Sequence, residues 1–535
     1  MVSRVLIFIA LVALIAVPFA LRHAPPAATE ATDTVVVVSP HNEAIRHEFE
    51  RGFRRWYRAR TGRGVRVDWR VVGGTSDISR YLESVYDAAF EREWARRGRR
   101  WSQKIQDTFQ SPAAATDPDA EVREARAAFL ASNVSCGIDV FFGGDAYQDQ
   151  KEAEAGRLVD AGLREKHAAW FRDDVIPRRY RGETFYDAAG RWYGVVLSGY
   201  GILYNRDALS RLHVDPPPAQ WVDLGDPALV SEVGLADPTK SGSVCEAFEN
   251  MIQQQMQLRL KSAGANPTAA QERQAVRDGW MDGLRLIQRL GANARYFSDS
   301  SQKPPIDVAN GDCAVGLCID FYGRQQAEAI RARGDARRLG FVMPVGGTAL
   351  STDPIALLRG APHRAAAVAF LEFALSLDGQ KLWAFKVGAP GGPERYALRR
   401  LPIRRDFYAH EEWLPERSDP ADAPYAGETT LEYHAAWTGP LFREIGFVTR
   451  VLCQDTHTEL VAAWRAINAA PEPRRTQALA VLERLDPVSY DRTRTEVHAR
   501  LTAKDRVQEV QLATELGAYF RGNYARAAAI ARGQP

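Results

Sequence analysis

Thr34-Val35-Val36-Val37-Val38-Ser39-Pro40-His41 is the stretch that decides the fold class of this chain. Four valines after a threonine form a short, continuous β-branched run, which is typical of a strand buried on both faces of a parallel sheet. Ser39 and Pro40 then offer a helix N-cap and a proline at the first helical position. The stretch therefore predicts a buried strand that leads directly into a helix, the opening of an α/β layer.

The segments that follow repeat this alternation of strand and helix. Apolar residues recur at helical spacing over 45–56, and apolar residues alternate over 65–71 as in a strand. Gly73-Gly74-Thr75-Ser76 then interrupts the chain before a second helix. A second α/β region is expected to start near Trp221. Further strands are predicted at 138–142, 201–205, 234–236, 314–319, 339–343 and 355–358.

Two segments depart from the α/β alternation. Residues 86–135 are dense in Arg, Glu, Asp and Ala, which predicts a helical insertion with a solvated, charged face. Beyond Phe407 the pattern is mostly helical, which predicts a helical C-terminal extension over 408–535.

The N-terminus has the parts of an export signal. Arg4 precedes an apolar run over 5–21, and Arg22 and His23 follow it. The run is long for a signal peptide and slightly short for a spanning helix, which needs about 20 residues. Residues 1–33 are therefore predicted to be either a cleaved signal peptide or an uncleaved membrane anchor with a linker. Both alternatives place the rest of the chain outside the cytoplasm, in the periplasm or tethered to the inner membrane.

Composition excludes several classes of function. Lys and Arg number 69 against 67 Asp and Glu, so a basic surface for nucleic acid is not expected. The five cysteines form no CxxC motif, which disfavours redox and zinc sites. We expect buried free thiols at Cys136, Cys245, Cys313, Cys318 and Cys453.

Two loops carry the chemistry expected of an anion site. Thr75-Ser76 and Ser241-Gly242-Ser243 each follow a predicted strand and begin a predicted helix. A helix N-terminus offers unpaired N–H donors and the positive end of the helix dipole, and glycine lets a ligand approach the backbone. Ordinary N-capping is the other interpretation of one such loop. One loop in each α/β region favours a ligand held between the regions.

Catalytic motifs are scarce in this sequence. It contains no GxSxG, HExxH, P-loop or GxGxxG pattern, and no nucleophile or metal cluster that would serve a phosphate-ester hydrolase. We therefore expect a binding protein rather than an enzyme, with no cofactor.

Several segments, taken in order, resemble the type 2 periplasmic solute-binding proteins of ATP-binding-cassette (ABC) importers. The similarity is greatest to the branch of ferric-iron-binding proteins and their phosphonate, sugar-phosphate and thiamine relatives. It covers roughly residues 35–408. The segments that carry it are 35–43, 139–142, 201–205, 237–243, 310–322, 365–383 and 401–404.

The resemblance implies two α/β lobes joined by two strand crossovers, near 197–205 and 343–348. Lobe 1 would span 34–200 with the insertion at 86–135, lobe 2 would span 201–345, and 346–407 would return to lobe 1. The ligand would lie in the cleft between the lobes, which would close by hinge motion in the manner of a Venus flytrap.

The resemblance also implies a set of ligand-binding residues. Ser241, Gly242 and Ser243 match the family's phosphate-gripping turn, and Asp320 and Asp353 are placed to accept hydrogen bonds from ligand hydroxyls or an amine. The full predicted set is His41, Thr75, Ser76, Asp145, Thr239, Ser241, Gly242, Ser243, Asp320, Tyr322 and Asp353.

The iron branch holds its metal with a histidine, a carboxylate and two adjacent tyrosines, together with a bridging anion. His41 and Tyr322 match two of these ligands. Phe321 and Gly144 stand where a second phenolate and the carboxylate would be, so two hard oxygen donors suited to ferric iron are missing.

The sequence therefore predicts an extracytoplasmic solute-binding protein that captures a small anionic solute, an organic phosphate or phosphonate. Its expected partner is the membrane permease of an ABC importer. Two alternatives are kept: binding of ferric iron with a synergistic anion, and a membrane-tethered ligand sensor.

Overall fold

The computed structural model describes residues 32–335, 337–426, 430–503 and 505–534. The predicted signal or anchor at 5–21 lies outside these residues. Within them, no helix combines the length and the apolar composition that a membrane span needs.

The first lobe is built on a seven-stranded sheet with the order β14-β7-β13-β3-β1-β2, and β4 pairs with β13 outside this path. β1 pairs with β2 and β3 in parallel, whereas β13 is antiparallel to its neighbours. The strands of this lobe are β1 (Thr32–Val38), β2 (Gly64–Arg70), β3 (Val140–Phe142), β4 (Leu158–Val159), β7 (Trp192–Ser198), β13 (Ser351–Leu358) and β14 (Leu401–Pro402). The hairpin β5–β6 (Arg179–Tyr180, Glu183–Thr184) forms a separate two-stranded sheet.

The second lobe is built on a five-stranded sheet with the order β10-β9-β11-β8-β12. β9 pairs in parallel with β10 and β11, and β8 is antiparallel to β11 and β12. Its strands are β8 (Tyr200–Asn205), β9 (Val233–Ala236), β10 (Ala294–Ser298), β11 (Val315–Ile319) and β12 (Leu339–Val342).

Two crossovers join the lobes. The chain leaves the first sheet at the end of β7 and enters the second at β8, with Gly199 between them, and it returns between β12 and β13. The backbone N–H of Tyr200 donates to Thr348 Oγ1 at 2.9 Å, so the two crossovers are bonded to each other. The predicted two-lobed α/β fold with two hinge crossovers is confirmed.

Helices cover both sheets. Those of the first lobe and its insertion are α1 (Glu43–Thr61), α2 (Thr75–Arg96), α3 (Gln103–Thr108), α4 (Ala120–Ala131), α5 (Ala146–Ala155) and α6 (Leu163–Lys166), and later α12 (Arg364–Leu375), α13 (Leu377–Ala384) and α14 (Arg405–Tyr408). Those of the second lobe are α7 (Arg206–Arg211), α8 (Gly242–Ser262), α9 (Ala269–Asn293), α10 (Lys303–Asn310) and α11 (Asp320–Ala332).

The C-terminal helices are α15 (Ala435–Thr438), α16 (Phe442–Thr449), α17 (His457–Ala469), α18 (Arg474–Leu482), α19 (Tyr490–Arg492), α20 (His498–Thr502) and α21 (Arg506–Arg532). Short 3₁₀ segments occur at Pro112–Thr116, Ala168–Phe171, Trp221–Gly225, Pro227–Leu229, Glu411–Glu416, Gly439–Leu441 and Asp486–Val488, and π-helical turns at Arg450–Gln454 and Thr493–Val497.

The C-terminal helices are not an independent domain. Their buried side chains belong to the same hydrophobic core as those of the second lobe. The indole of Trp280 on α9, for example, donates to the carbonyl of Val488 at 2.8 Å. Residues 408–426 are mostly irregular and pack on the first lobe, where Trp413 contacts Phe385 and Tyr425 contacts Tyr180. The predicted extension at 408–535 therefore divides into a connecting segment and a helical part.

The opening of the fold differs in detail from the prediction. β1 begins at Thr32, and α1 is capped by Asn42, whose side chain accepts from the N–H of Ile45. The predicted cap Ser39 instead accepts from the N–H of His41 at 3.1 Å and closes a turn. Asn is as good an N-cap as Ser, and Glu43 in the first turn suits the helix dipole, so the helix starts one turn later.

All five cysteines are buried free thiols, as expected. Cys313 lies just before β11, whereas Cys318 lies within it. Ser376 ends α12, and its side chain caps α13.

Candidate functional site

Three helices begin at the boundary between the lobes. α2 and α5 start from the first lobe at Thr75 and Ala146, and α8 starts from the second lobe at Gly242. Asp145 caps α5 by accepting from the N–H of Gln148, and Ser241 caps α8 by accepting from the N–H of Val244. The N-termini of three helices thus face one region, each with its positive dipole end.

Glycines allow these N-termini to approach one another. A β-carbon at Gly144 would lie 2.9 Å from Thr75 Cγ2, and Gly144 has φ +116°, which disfavours other residues. Across the cleft, a β-carbon at Gly242 would lie 2.5 Å from Asp145 Oδ2. One at Gly74 would lie 3.4 Å from the carbonyl oxygen of Lys240. The lobes are therefore closed on each other at these loops.

A buried ionic network lies beside the helix N-termini, in the first lobe near the hinge. Asp353 on β13 accepts from Arg400 at 2.6 Å and lies 3.1 Å from His41 Nε2. Arg400 also donates to Ser198 Oγ at the end of β7. The network therefore ties the first crossover strand to the returning strand.

The protonation of His41 follows from its partner. A carboxylate only accepts hydrogen bonds, so His41 Nε2 carries a proton, and in the neutral ring Nδ1 is then an acceptor. Burial lowers the pKa of His41, although Asp353 opposes this effect. Burial alone would raise the pKa of Asp353, but Arg400 and His41 outweigh it and hold this pKa well below its usual value. His41 Nδ1 is buried without a hydrogen-bond partner among the described residues.

The second lobe contributes the start of α11 to the same region. The guanidinium of Arg400 lies 4.4 Å from the ring centre of Phe321, and the rings of Phe321 and Tyr322 are 4.1 Å apart. Asp320 is fully buried, and neither of its carboxylate oxygens has a hydrogen-bond partner among the described residues. Burial raises the pKa of Asp320 to about 6, against the opposing charge of Arg324. Arg324 lies 3.6 Å from one of these oxygens, and the carboxyl of Asp320 can still accept hydrogen bonds from a ligand.

A group of carboxyl groups lies beside the helix N-termini: Glu246 and Glu249 on α8 are buried, and Glu183 on β6 is half-buried. We call Glu183, Glu246 and Glu249 the acidic wall. Tyr200 donates to Glu246 at 3.0 Å, and Tyr433 and Thr438 donate to Glu249 at 2.8 and 2.6 Å. The acids of the acidic wall thus come from β6 of the first lobe and α8 of the second lobe, and the C-terminal segment supplies hydrogen-bond donors to them.

Burial dominates the electrostatics of these acids. It raises the pKa of Asp145 to about 6 and that of Glu249 to about 7. The pKa values of Glu183 and Glu246 are also raised by burial, and neighbouring carboxylates add to the effect. At neutral pH an ionised carboxylate is costly at each of these positions unless a positive charge is nearby.

The structure brings together most of the residues predicted from the sequence. Thr75, Asp145 and Gly242 lie where the lobes touch, and Ser76 and Ser243 lie in the first turns of α2 and α8. His41, Asp320, Tyr322 and Asp353 surround Arg400 through direct contacts or through their charges.

Thr239, another of the predicted site residues, is bonded within its own turn. Its hydroxyl donates to Asp237 at 2.6 Å, and its backbone N–H donates to the same carboxylate. The side chain is exposed and stabilises its own turn.

Sequence reasoning missed Arg400 and the acidic wall. Arg400 follows an irregular segment, so neither hydrophobic periodicity nor a sequence motif indicated that it belongs to the site. The acidic wall had a detectable signal: Glu246 and Glu249 interrupt the apolar face of α8 between Cys245 and Met251. Acids among buried apolar positions require either a partner or a ligand.

The residues present do not suit a ferric ion. Arg400 places a positive charge over Phe321, where the resemblance would require a phenolate, and Asp353 already bonds His41 Nε2. In the described part of the chain, no group of three or more His, Cys, Asp or Glu residues is arranged to hold a metal ion.

Residues 134–407 match the model of a protein family described as bacterial extracellular solute-binding protein. The chain belongs to this family. The match spans just over half of the chain and includes Asp145, the helix start at Gly242 and, from the buried network, Ser198, Asp353 and Arg400, whereas His41 lies before the matched residues. The predicted family is confirmed, and with it an extracytoplasmic location.

Curated relatives are more distant. An uncharacterized protein of Haemophilus influenzae is 27% identical over 251 residues, which are 47% of this chain and 61% of that protein. The phosphoglycerate transport regulatory protein PgtC of Salmonella typhimurium is 26% identical over 210 residues, 39% of this chain and 43% of PgtC. The alignments thus span less than two thirds of the length of these relatives.

Among solved structures, the periplasmic binding protein AfuA of Actinobacillus pleuropneumoniae, with fructose-6-phosphate bound, is similar at a TM-score of 0.47. It is 18% identical, and the alignment covers 81% of this chain and 98% of AfuA.

Proposed function

We propose that this solute-binding protein is the receptor of an ABC importer and captures a small organic phosphate or phosphonate between its lobes. The observation that carries the proposal is the convergence of the N-termini of α2, α5 and α8 from both lobes. Helix N-termini with glycine and hydroxyl residues are suited to phosphate, because their N–H groups and dipoles both favour negative charge.

The polar groups around these N-termini suit the organic part of such a ligand. Asp320 and His41 Nδ1 are buried acceptors without hydrogen-bond partners among the described residues, so a ligand with hydroxyl or amine donors would satisfy them. The name of the Salmonella relative, a phosphoglycerate transport regulatory protein, supports a phosphorylated ligand of this kind. A receptor of this design binds its solute without chemistry, so we propose that the protein is not an enzyme.

Replacing Ser241 and Ser243 with alanine is expected to weaken phosphate binding at least tenfold. In a thermal-shift screen of 3-phosphoglycerate, fructose-6-phosphate and alkylphosphonates, at least one compound should stabilise the unaltered protein. The double variant should lose most of this shift, because two hydroxyl groups at the N-terminus of α8 are removed.

A control is needed because Ser241 also caps α8, and loss of a cap costs about 1 kcal/mol. Thr268→Ala removes the exposed cap of α9 and should leave the ligand-induced shift unchanged. An equal ligand-induced shift in the double variant and in Thr268→Ala would remove the loop from the proposal. Turnover of a chromogenic phosphate ester by the purified protein would overturn the claim that it is not an enzyme.

A second candidate function is ligand-dependent regulation of transport. The name of PgtC, a phosphoglycerate transport regulatory protein, favours this function, which corresponds to the ligand-sensor alternative predicted from the sequence. In cells that lack the gene, a receptor role predicts loss of radiolabelled phosphonate uptake even when the permease is expressed from a constitutive promoter. Normal uptake under these conditions, with loss of ligand-induced permease expression, would instead establish the regulatory role.

A further inference from the structure

The carboxyl groups beside the helix N-termini do not suit a ligand that carries only negative charge. Arg400 is paired with Asp353, and Lys240 is paired with Asp299 at 2.6 Å. The charges that act on the acidic wall are other carboxylates, including Asp145. A ligand that carried only negative charge would bring another anion towards four carboxyl groups.

The acidic wall also has hydrogen-bonding capacity that the protein does not use. Glu246 is more than nine-tenths buried, and its Oε1 has no hydrogen bond of normal length among the described residues, although the Ser351 hydroxyl is close enough to lower the pKa of Glu246. Asn250 is fully buried, and neither its Oδ1 nor its Nδ2 has a partner among them. Asn250 lies four residues after Glu246, so both occupy the same face of α8. Buried groups without partners are costly in a folded protein. Glu246 Oε1 and Asn250 Oδ1 lack a donor, and Asn250 Nδ2 lacks an acceptor.

We infer that the acidic wall binds an ammonium group of the solute, so that the ligand is a zwitterion with a phosphate or phosphonate at one end and an amine at the other. An ammonium group donates three hydrogen bonds and accepts none. It matches the unpartnered oxygens of Glu246 and Asn250 and offsets the charge of Glu249. The inference rests on the proposed phosphate site at the N-terminus of α8.

The spacing along α8 sets the size of such a ligand. At about 1.5 Å per residue, Glu246 and Glu249 lie about 6 and 10 Å along the axis from Gly242. Their side chains lean back towards the helix N-terminus, which shortens the gap. A short aminoalkyl chain between the two charged ends fits this distance.

The inference also gives the C-terminal segment a function. Tyr433 and Thr438 hold Glu249, and Gln253 on the same helix donates to Thr438 Oγ1 at 2.6 Å. The connection between the first lobe and the C-terminal helices therefore completes the acidic wall.

Three probes separate the two ends of the ligand: 3-aminopropylphosphonate, propylphosphonate and propylamine. Isothermal titration of the mature protein at pH 7 is expected to give at least tenfold tighter binding of 3-aminopropylphosphonate than of propylphosphonate. Glu249→Gln should reduce this ratio to below threefold, and Glu246→Gln provides a second variant of the acidic wall. Glu83→Gln, at an exposed position of α2, is the matched control and should leave the ratio unchanged.

Other results of the titrations would separate the proposed ammonium site from the proposed phosphate site. Equal affinity for 3-aminopropylphosphonate and propylphosphonate would overturn the ammonium site and leave the phosphate site standing. Binding of propylamine and 3-aminopropylphosphonate with equal affinity would support the acidic wall and overturn the phosphate site. Binding of none of the three probes would overturn both.

Discussion

Replacing Arg400 with methionine is expected to lower the free energy of unfolding by about 3–5 kcal/mol, the usual cost of breaking a buried ion pair by removing one partner. The Arg400 side chain is 1% exposed and bonds Asp353 and Ser198. Without it, Asp353 would keep only His41 and Ser198 as side-chain partners, and Asp320 would lose a neighbouring positive charge. Urea denaturation of the two proteins at pH 7 measures the difference.

A double variant shows whether the buried charge is the cause. Arg400→Met combined with Asp353→Leu removes both charges, so most of the lost stability should return. Arg51→Met is the control for loss of an arginine, because its pair with Glu394 is half-exposed and worth at most about 1 kcal/mol. A loss below 1 kcal/mol for Arg400→Met, or no recovery in the double variant, would contradict the account.

The same network explains which parts of the site the sequence can predict. Ser241–Ser243 and Thr75 begin helices a few residues after the ends of β9 and β2. Ligands in open α/β sheets gather at the carboxyl ends of strands, so the local sequence pattern is enough to find these residues. Arg400 reaches the site only through tertiary structure, because residues 385–400 form no regular element that would orient its side chain. Its partner Asp353 was predicted from family resemblance rather than from spacing.

The fold was predictable for similar reasons, and the C-terminal helices were not. Continuous apolar strands such as β1 and glycine-containing turns are local signals, and their order indicated two lobes. Helical periodicity predicts that α15–α21 exist but contains no information about which surface they cover. Their union with the core of the second lobe depends on long-range contacts such as that of Trp280 with Val488.

Glu249→Gln is expected to raise the free energy of unfolding of the ligand-free protein by up to about 3 kcal/mol at pH 8 and to leave it unchanged at pH 4. Burial raises the pKa of Glu249 from its usual 4.5 to about 7, although Thr438 and Tyr433 oppose this, and the carboxyls that face it are Asp145, Glu183 and Glu246. Below pH 4.5 Glu249 is protonated in both the folded and the unfolded chain, so its ionisation does not lower the free energy of unfolding. Between pH 4.5 and 7 only the unfolded chain ionises, and stability falls by about 1.4 kcal/mol for each unit of the pKa difference.

Glutamine does not ionise and keeps the oxygen that accepts hydrogen bonds from Tyr433 and Thr438. The free energy of unfolding of the variant therefore does not fall between pH 4.5 and 7 on account of this residue. Denaturation curves at pH 4 and pH 8 measure the difference, with Glu83→Gln as a control that should show none at either pH. An equal effect of Glu249→Gln at both pH values would contradict the burial of an ionisable group. A fold selected for stability alone would therefore favour glutamine at this position. The carboxylate is useful only to a protein that places a positive charge beside it, and the zwitterionic ligand that we infer would supply that charge when the lobes close.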